Sequence, residues 1–296
     1  MFRMPNVLVA GLDGSSASLA AARWAAHEAV LNGAALRLLQ VSPTATTGRT
    51  SGRLPQEAPQ EIRTALQRIA GELAAAHPDL EVTADTVVGD PLAELLRANV
   101  GASTLVLGAR GAEGFDRLLL GSTALSVSAR AQRPVVLVRD EPDTAEAWAG
   151  PVTVGVDPDH ECVPVVEFAL ARAAERAAGL RAVHAWLPPR ALAPTPAGPG
   201  GTGTATGDQD QLAGIQELET HLLRDAVERA AKEFPHVAVD YDLRAGSTGQ
   251  ILVDESERAS LLVLGRPHHR AVSTLGPALH AAIHYSRCPV AIVPHL

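Results

Sequence analysis

The chain is written twice, and this repeat constrains its fold more than any other feature. NVLVAGLDG at 6–14 resembles PVTVGVDPD at 151–159, which sets Asp13 against Asp157 at an offset of 144 residues. Gly89 and Gly108 match Gly246 and Gly265 at an offset of 157, and RPVVLV at 133–138 matches CPVAIV at 288–293 at 155. The offset drifts in two steps, so one half gained 13 residues between 182 and 235 and lost two between 265 and 276. A length of 296 residues suits two ordinary domains, each large enough for its own core. The repeat makes them two copies of one domain, expected at 1–140 and 151–296.

Each half alternates short, continuously apolar runs with amphipathic stretches. In the first, VLVA at 7–10, ALRLLQV, EVTADTVV, STLVLG and PVVLV read as strands. Helices are expected over 16–32, ended by Asn32-Gly33, around 59–76, at PLAELLRAN and at GSTALSVSAR. Continuous apolar strands separated by helices imply a parallel sheet covered on both faces. Right-handed crossovers then give an α/β, doubly wound fold, here two tandem five-stranded parallel sheets of order 3-2-1-4-5. Low-complexity stretches at 43–55 and 188–210 follow the second strand of each half. They read as surface insertions at the ligand-bearing edge, where a flap over a pocket is the sharper alternative.

Charge and residue usage exclude several functions. With 25 basic against 33 acidic residues the net charge is −8, which disfavours nucleic acid and anionic membranes as partners. Lys232 is the sole lysine, so a G-x-x-x-x-G-K-[ST] phosphate loop is absent. Cys162 and Cys288 are too few for a disulfide framework or a four-cysteine metal site. The amino-terminal residues lack the pattern of a signal peptide and no apolar run is long enough to span a bilayer, so a cytoplasmic location is expected.

The segment richest in chemistry is LVLGARGAEGFDRLLLGST at 105–123: a strand, Gly108-x-x-Gly111, nine residues, Gly121-Ser122, then a helix. Glycines admit positive φ and let a phosphate approach the backbone, while successive amides and a helix N-terminus attract an anion. Ser122 is expected as the helix N-cap, and Arg110 supplies a full charge between the first two glycines. Asp13 ends the first strand, and a 3-2-1-4-5 order places it across the crevice from this loop. There its carboxylate can accept from ribose hydroxyls or an adenine amino group.

These residues resemble those of universal stress protein domains, and the whole chain resembles the tandem, UspA-like form found in actinobacteria. Gly108, Gly111, Gly121 and Ser122 match the family's G-2x-G-9x-G-[S/T] pattern, Asp13 its aspartate after strand one, and Val88-Gly89 its turn before the third helix. The resemblance implies an adenine nucleotide alpha hydrolase-like fold that binds ATP, often with Mg²⁺, and acts as a nucleotide-dependent regulator in stress or dormancy. It implies Val41 beside the adenine, and Leu12, Thr123 and Val135 as further contacts. It also implies dimerisation through the last strand, so 135–138 and 290–293 are expected to pair as an internal pseudo-dimer, with a homodimer the other possibility.

The second half departs from the pattern. Its loop keeps Gly265, but His268 stands for the second glycine, Pro277 for the serine, and Ala185 for Val41. Proline has neither the amide nor the hydroxyl to offer phosphate, so ATP is expected in the first half alone. His280 and His284 share a helix face at i, i+4 without a third ligand, and no metal site is assigned to them. Trp24 and Trp186 read as packing residues. No nucleophile and base adjoin the glycine loop; Glu113 and Asp116 within it read as solvated charges. A slow ATPase or phosphotransferase is one alternative function, and a nucleotide-free interaction module is another.

Overall fold

The computed structural model describes residues 6–43, 58–110, 121–139, 148–189, 206–267 and 275–295. β1 (Val7–Leu12) is apolar on both faces and almost wholly buried, as an interior strand of a parallel sheet must be. α1 (Ser16–Asn32) starts on Ser15, whose hydroxyl accepts from the Ser18 amide at 3.1 Å, and stops at Gly33 with φ of 61°. β2 (Ala35–Ser42), α2 (Gln60–Ala76) and β3 (Val82–Val88) follow. α3 (Pro91–Gly101) is capped by Asp90, whose carboxylate accepts from the Ala93 amide at 2.8 Å. β4 (Thr104–Gly108), α4 (Ser122–Arg130) and β5 (Val135–Val138) complete the half.

The second half repeats the order with β6 (Val152–Gly155), α5 (Val163–Glu175), β7 (Leu180–Trp186), α6 (Thr206–Ala231) and β8 (Val239–Ala245). α7 (Thr248–Glu255), β9 (Leu261–Pro267), α8 (Pro277–Tyr285) and β10 (Val290–His295) close it. α6 begins inside the low-complexity stretch at 188–210, so the end of that stretch is helix rather than loop. Of the flap candidates at 43–55 and 188–210, residues 44–55 and 190–205 lie outside the described residues.

Each half has the expected order, β3-β2-β1-β4-β5 and β8-β7-β6-β9-β10. The halves share one ten-stranded sheet rather than two separate ones, because β5 and β10 pair antiparallel. Val136 stands opposite Ala291, with Leu137 opposite Val290 and Val135 opposite Ile292. Val136 and Ala291 are equivalent residues of the repeat, so the register is symmetric about them. Every other pairing is parallel, so the carboxyl edges of the two halves face opposite ends of the sheet. Alternate strand residues feed two apolar layers that run through both halves. Leu8, Ala10 and Leu36 pack with Trp24 of α1, Leu66 of α2 and Leu170 of α5, while Val9, Leu105 and Leu137 pack with α3, α4, α7 and α8.

Charge reinforces the seam. Glu28 of α1 is 1% exposed, with Arg172 Nη1 of α5 at 3.9 Å and Arg176 Nη2 hydrogen-bonded to its other oxygen. Glu28 and Arg172 are themselves equivalent at the 144-residue offset. Burial lowers the pKa of the Arg172 guanidinium and raises that of the Glu175 carboxyl, which lies 2.7 Å from Arg172 Nη2. Each half also sends an arginine across the seam. Arg139 Nη2 donates to the His284 carbonyl, and Arg266 Nη2 to the Ala131 carbonyl at the end of α4. Both acceptors lie where a helix dipole gathers negative charge.

Removing Glu28 strands the buried Arg176. Glu28→Gln is expected to cost about 3–5 kcal/mol in chemical denaturation, whereas replacing Glu28 and Arg176 together by leucine costs much less, since Arg172 keeps Glu175. A second test comes from the helix ends. Gly33 and Ala177 close α1 and α5 with the same bonds, Ala34 N–H to Ala29 O at 2.8 Å and Ala178 N–H to Ala173 O at 2.9 Å. Ala177 does so at φ of 49°, the left-handed region that strains a side chain. Ala177→Gly is expected to raise stability by about 1 kcal/mol, and an unchanged or lower melting temperature would refute that account.

Candidate functional site

The carboxyl edge of the first half gathers the residues that the sequence singles out. Asp13 follows β1, and its Oδ1 accepts from the Ser15 amide at 2.9 Å and the Ser15 hydroxyl at 2.6 Å. The Arg110 carbonyl lies 3.3 Å from the same hydroxyl oxygen, which has one proton and gives it to the nearer carboxylate. Next to Arg110, the Ala109 amide donates to the Val138 carbonyl at 2.7 Å, and the Ala109 carbonyl accepts from the Gly121 amide at 2.8 Å. A continuous line of contacts thus carries Asp13, Arg110 and the start of α4 onto one rim. Asp13, Arg110 and Ser122 are exposed there, and Thr123 is half-buried.

Two expectations about this rim change. The N-cap of α4 is Gly121, at φ of −71° with no side-chain cap, and Ser122 is the first helical residue. The amides of Ser122, Thr123 and Ala124 therefore have no acceptor within their helix, the usual state of a helix start and a ready anion site. Gly108 does not take positive φ. A Cβ on it would lie 2.7 Å from the backbone of Ala17 and Ser18, so the glycine lets α1 approach β4 closely. Its conformational freedom is unused.

The remaining candidates are spread more widely. Leu12 is buried at 5% exposure, and Val41 is half-buried beside Val87. Val135 is opposite Leu105, whereas Gly108 at the rim is opposite Val138. Val135 therefore sits about 10 Å down the strand from the edge, inside the core. Gly111, Glu113 and Asp116 lie outside the described residues, as does His268.

The corresponding edge of the second half holds a cavity of about 520 Å³. α5 starts at Val163, three residues later in the repeat than α1, whose Ser16 corresponds to His160. With that turn absent, Gly265 makes room not for helix backbone but for His295, whose Nε2 would lie 2.8 Å from a Cβ. Asp157 Oδ2 is 3.0 Å from His160 Nδ1. His184 sits with Nδ1 3.0 Å from the Val156 carbonyl and Nε2 3.3 Å from Glu219 of α6. Pro277 occupies the first turn of α8 behind an uncapped Gly276. Burial raises the pKa of the Cys162 thiol in the cavity wall. His184, Glu219 and Arg266 here went unnoticed in the sequence. The signal was present for Arg266, which follows Gly265 where the first half has Ala109.

No helix among the described residues is long and apolar enough to cross a membrane. Comparison with known proteins agrees with the architecture. The model of the universal stress protein family matches residues 4–139 and again 150–294. A universal stress protein of Mycobacterium tuberculosis is 30% identical, covering 98% of this chain and 97% of its own. A universal stress protein from Archaeoglobus fulgidus superposes with a TM-score of 0.71 at 18% identity, covering 98% of this chain and 96% of its own. One solved in complex with cAMP is 25% identical over 47% of this chain and 100% of its own, with a TM-score of 0.36.

The two glycines of the first rim are expected to respond differently to a methyl group. Gly108→Ala drives a Cβ into helix backbone and is expected to cost about 1–3 kcal/mol in denaturant titration. Gly121→Ala, at an ordinary φ, costs less than about 1 kcal/mol. Equal costs would refute the packing role given to Gly108.

Proposed function

The chain belongs to the universal stress protein family, and from that premise we propose that it is a nucleotide-dependent regulator in stress or dormancy that holds ATP in its first half. One observation carries this reading: the line of contacts from Asp13 through Ser15 and Arg110 to Ala109 and Gly121. It sets a carboxylate, the backbone of Arg110 and an uncapped helix start along one rim. The amides of Ser122 and Thr123 and the charge of Arg110 favour phosphate. Asp13, with Oδ1 already engaged by Ser15, suits the sugar or base, which donate hydrogen bonds rather than carry charge. Recognition without lysine, through amides and one arginine, suits retention of the nucleotide rather than its cleavage. Among the described residues no three His, Cys, Asp or Glu side chains converge as a metal site. The second half favours a different ligand, because Pro277 removes one amide from α8 and Asp159, which stands where the first half has Ser15, adds a carboxylate against an incoming polyphosphate.

Purified protein is expected to release adenine nucleotide on acid denaturation and to titrate with ATP at a ratio near one. Gly121→Val and Asp13→Ala are each expected to weaken ATP by at least about tenfold while leaving the fold intact by circular dichroism. A ratio near two would overturn the restriction to the first half. ATP affinity unchanged in both variants would overturn the site.

A further inference from the structure

The cavity of the second half is lined by a cation that no carboxylate among the described residues neutralises. Arg266 follows Gly265 near the end of β9, lines the cavity and is 5% exposed. Its Nη2 donates to the Ala131 carbonyl, while its Nε is buried without a hydrogen-bond partner. Among the described residues no carboxylate lies within ion-pair distance of it. Burial lowers the pKa of its guanidinium. An uncompensated buried cation costs several kcal/mol, and the end of α4 returns only part of that. A bound anion would supply the rest.

The walls narrow the choice of anion. Val156, Val183, Trp186, Leu252, Leu264 and Leu279 give the cavity an apolar body, and its volume lies within the range of small-molecule sites. Pro277 leaves the amides of Ala278 and Leu279 at the start of α8, enough for one compact head group. Asp157 and Asp159 line the same cavity and would repel a chain of phosphates. The acidic groups are partly engaged already, Asp157 by His160 and Glu219 by His184.

We propose that the second half binds a small organic anion, a carboxylate or phosphate monoester on an apolar body, with its head group at Arg266. The body lies along Val183 and Trp186. This site opens at the opposite end of the sheet from the first-half rim and does not depend on the reading of that rim.

Titration calorimetry with benzoate, phenyl phosphate and neutral benzyl alcohol tests the proposal on the full chain. At least one anion is expected to bind about tenfold or more tightly than benzyl alcohol, the tighter of the two naming the head group. Arg266→Met is expected to remove that preference. Ala185→Phe fills the cavity without touching the cation and is expected to abolish binding of all three probes, which keeps the test open if the methionine variant fails to fold. Anions no tighter than benzyl alcohol, or a preference intact in Arg266→Met, would overturn the proposal and leave Arg266 as a strut to α4. Saturating ATP is expected to leave the anion titration unchanged. Competition would overturn the proposal by assigning the cavity to nucleotide, and it is read separately from the effects of Gly121→Val at the other rim.

Discussion

Antiparallel pairing of β5 with β10 is the constraint from which the rest of the molecule follows. A parallel five-stranded sheet leaves two edges with unpaired backbone groups, and exposed edges invite unwanted association. Joining the last strands removes one edge from each half and leaves only β3 and β8 outside. Because the join is antiparallel inside otherwise parallel halves, it also turns the two carboxyl edges away from each other. Two ligand rims at opposite ends are thus a geometric result of the seam.

Charge makes the seam specific to the two halves as a pair. Near its symmetry axis the equivalent positions are Glu28 and Arg172, one carboxylate and one guanidinium, both largely buried. Two first halves packed the same way would set glutamate against glutamate, and two second halves arginine against arginine. Either contact buries like charges, which costs several kcal/mol. Arg139 and Arg266 add a second form of reciprocity, each ending on a carbonyl near the end of a helix in the other half. The duplication therefore diverged so that the copies fit each other better than themselves.

Much of this was legible from the sequence because it rests on period and repetition. Apolar runs such as VLVA and STLVLG have one outcome, an interior parallel strand, and their order fixed the 3-2-1-4-5 arrangement in both halves. Asn32-Gly33 stopped α1 where a left-handed residue was needed. What the sequence hid depends on which atoms meet. Gly108 looked like a residue chosen for a ligand or a turn, yet its missing Cβ accommodates the backbone of Ala17 and Ser18. Ser122 was read one position too early, because a glycine N-cap leaves no side chain to mark itself. Arg266 was passed over because its burial arises from the seam with the first half, which lies far away in sequence.

The same glycine therefore has two unlike consequences. Over Gly108 the first turn of α1 packs directly on β4. Under Gly265 that turn is missing, since α5 begins three residues later and His295 fills only part of the gap. Beside that gap lies the cavity of about 520 Å³. α4 connects the two outcomes, because its start faces the proposed phosphate site and its end receives Arg266.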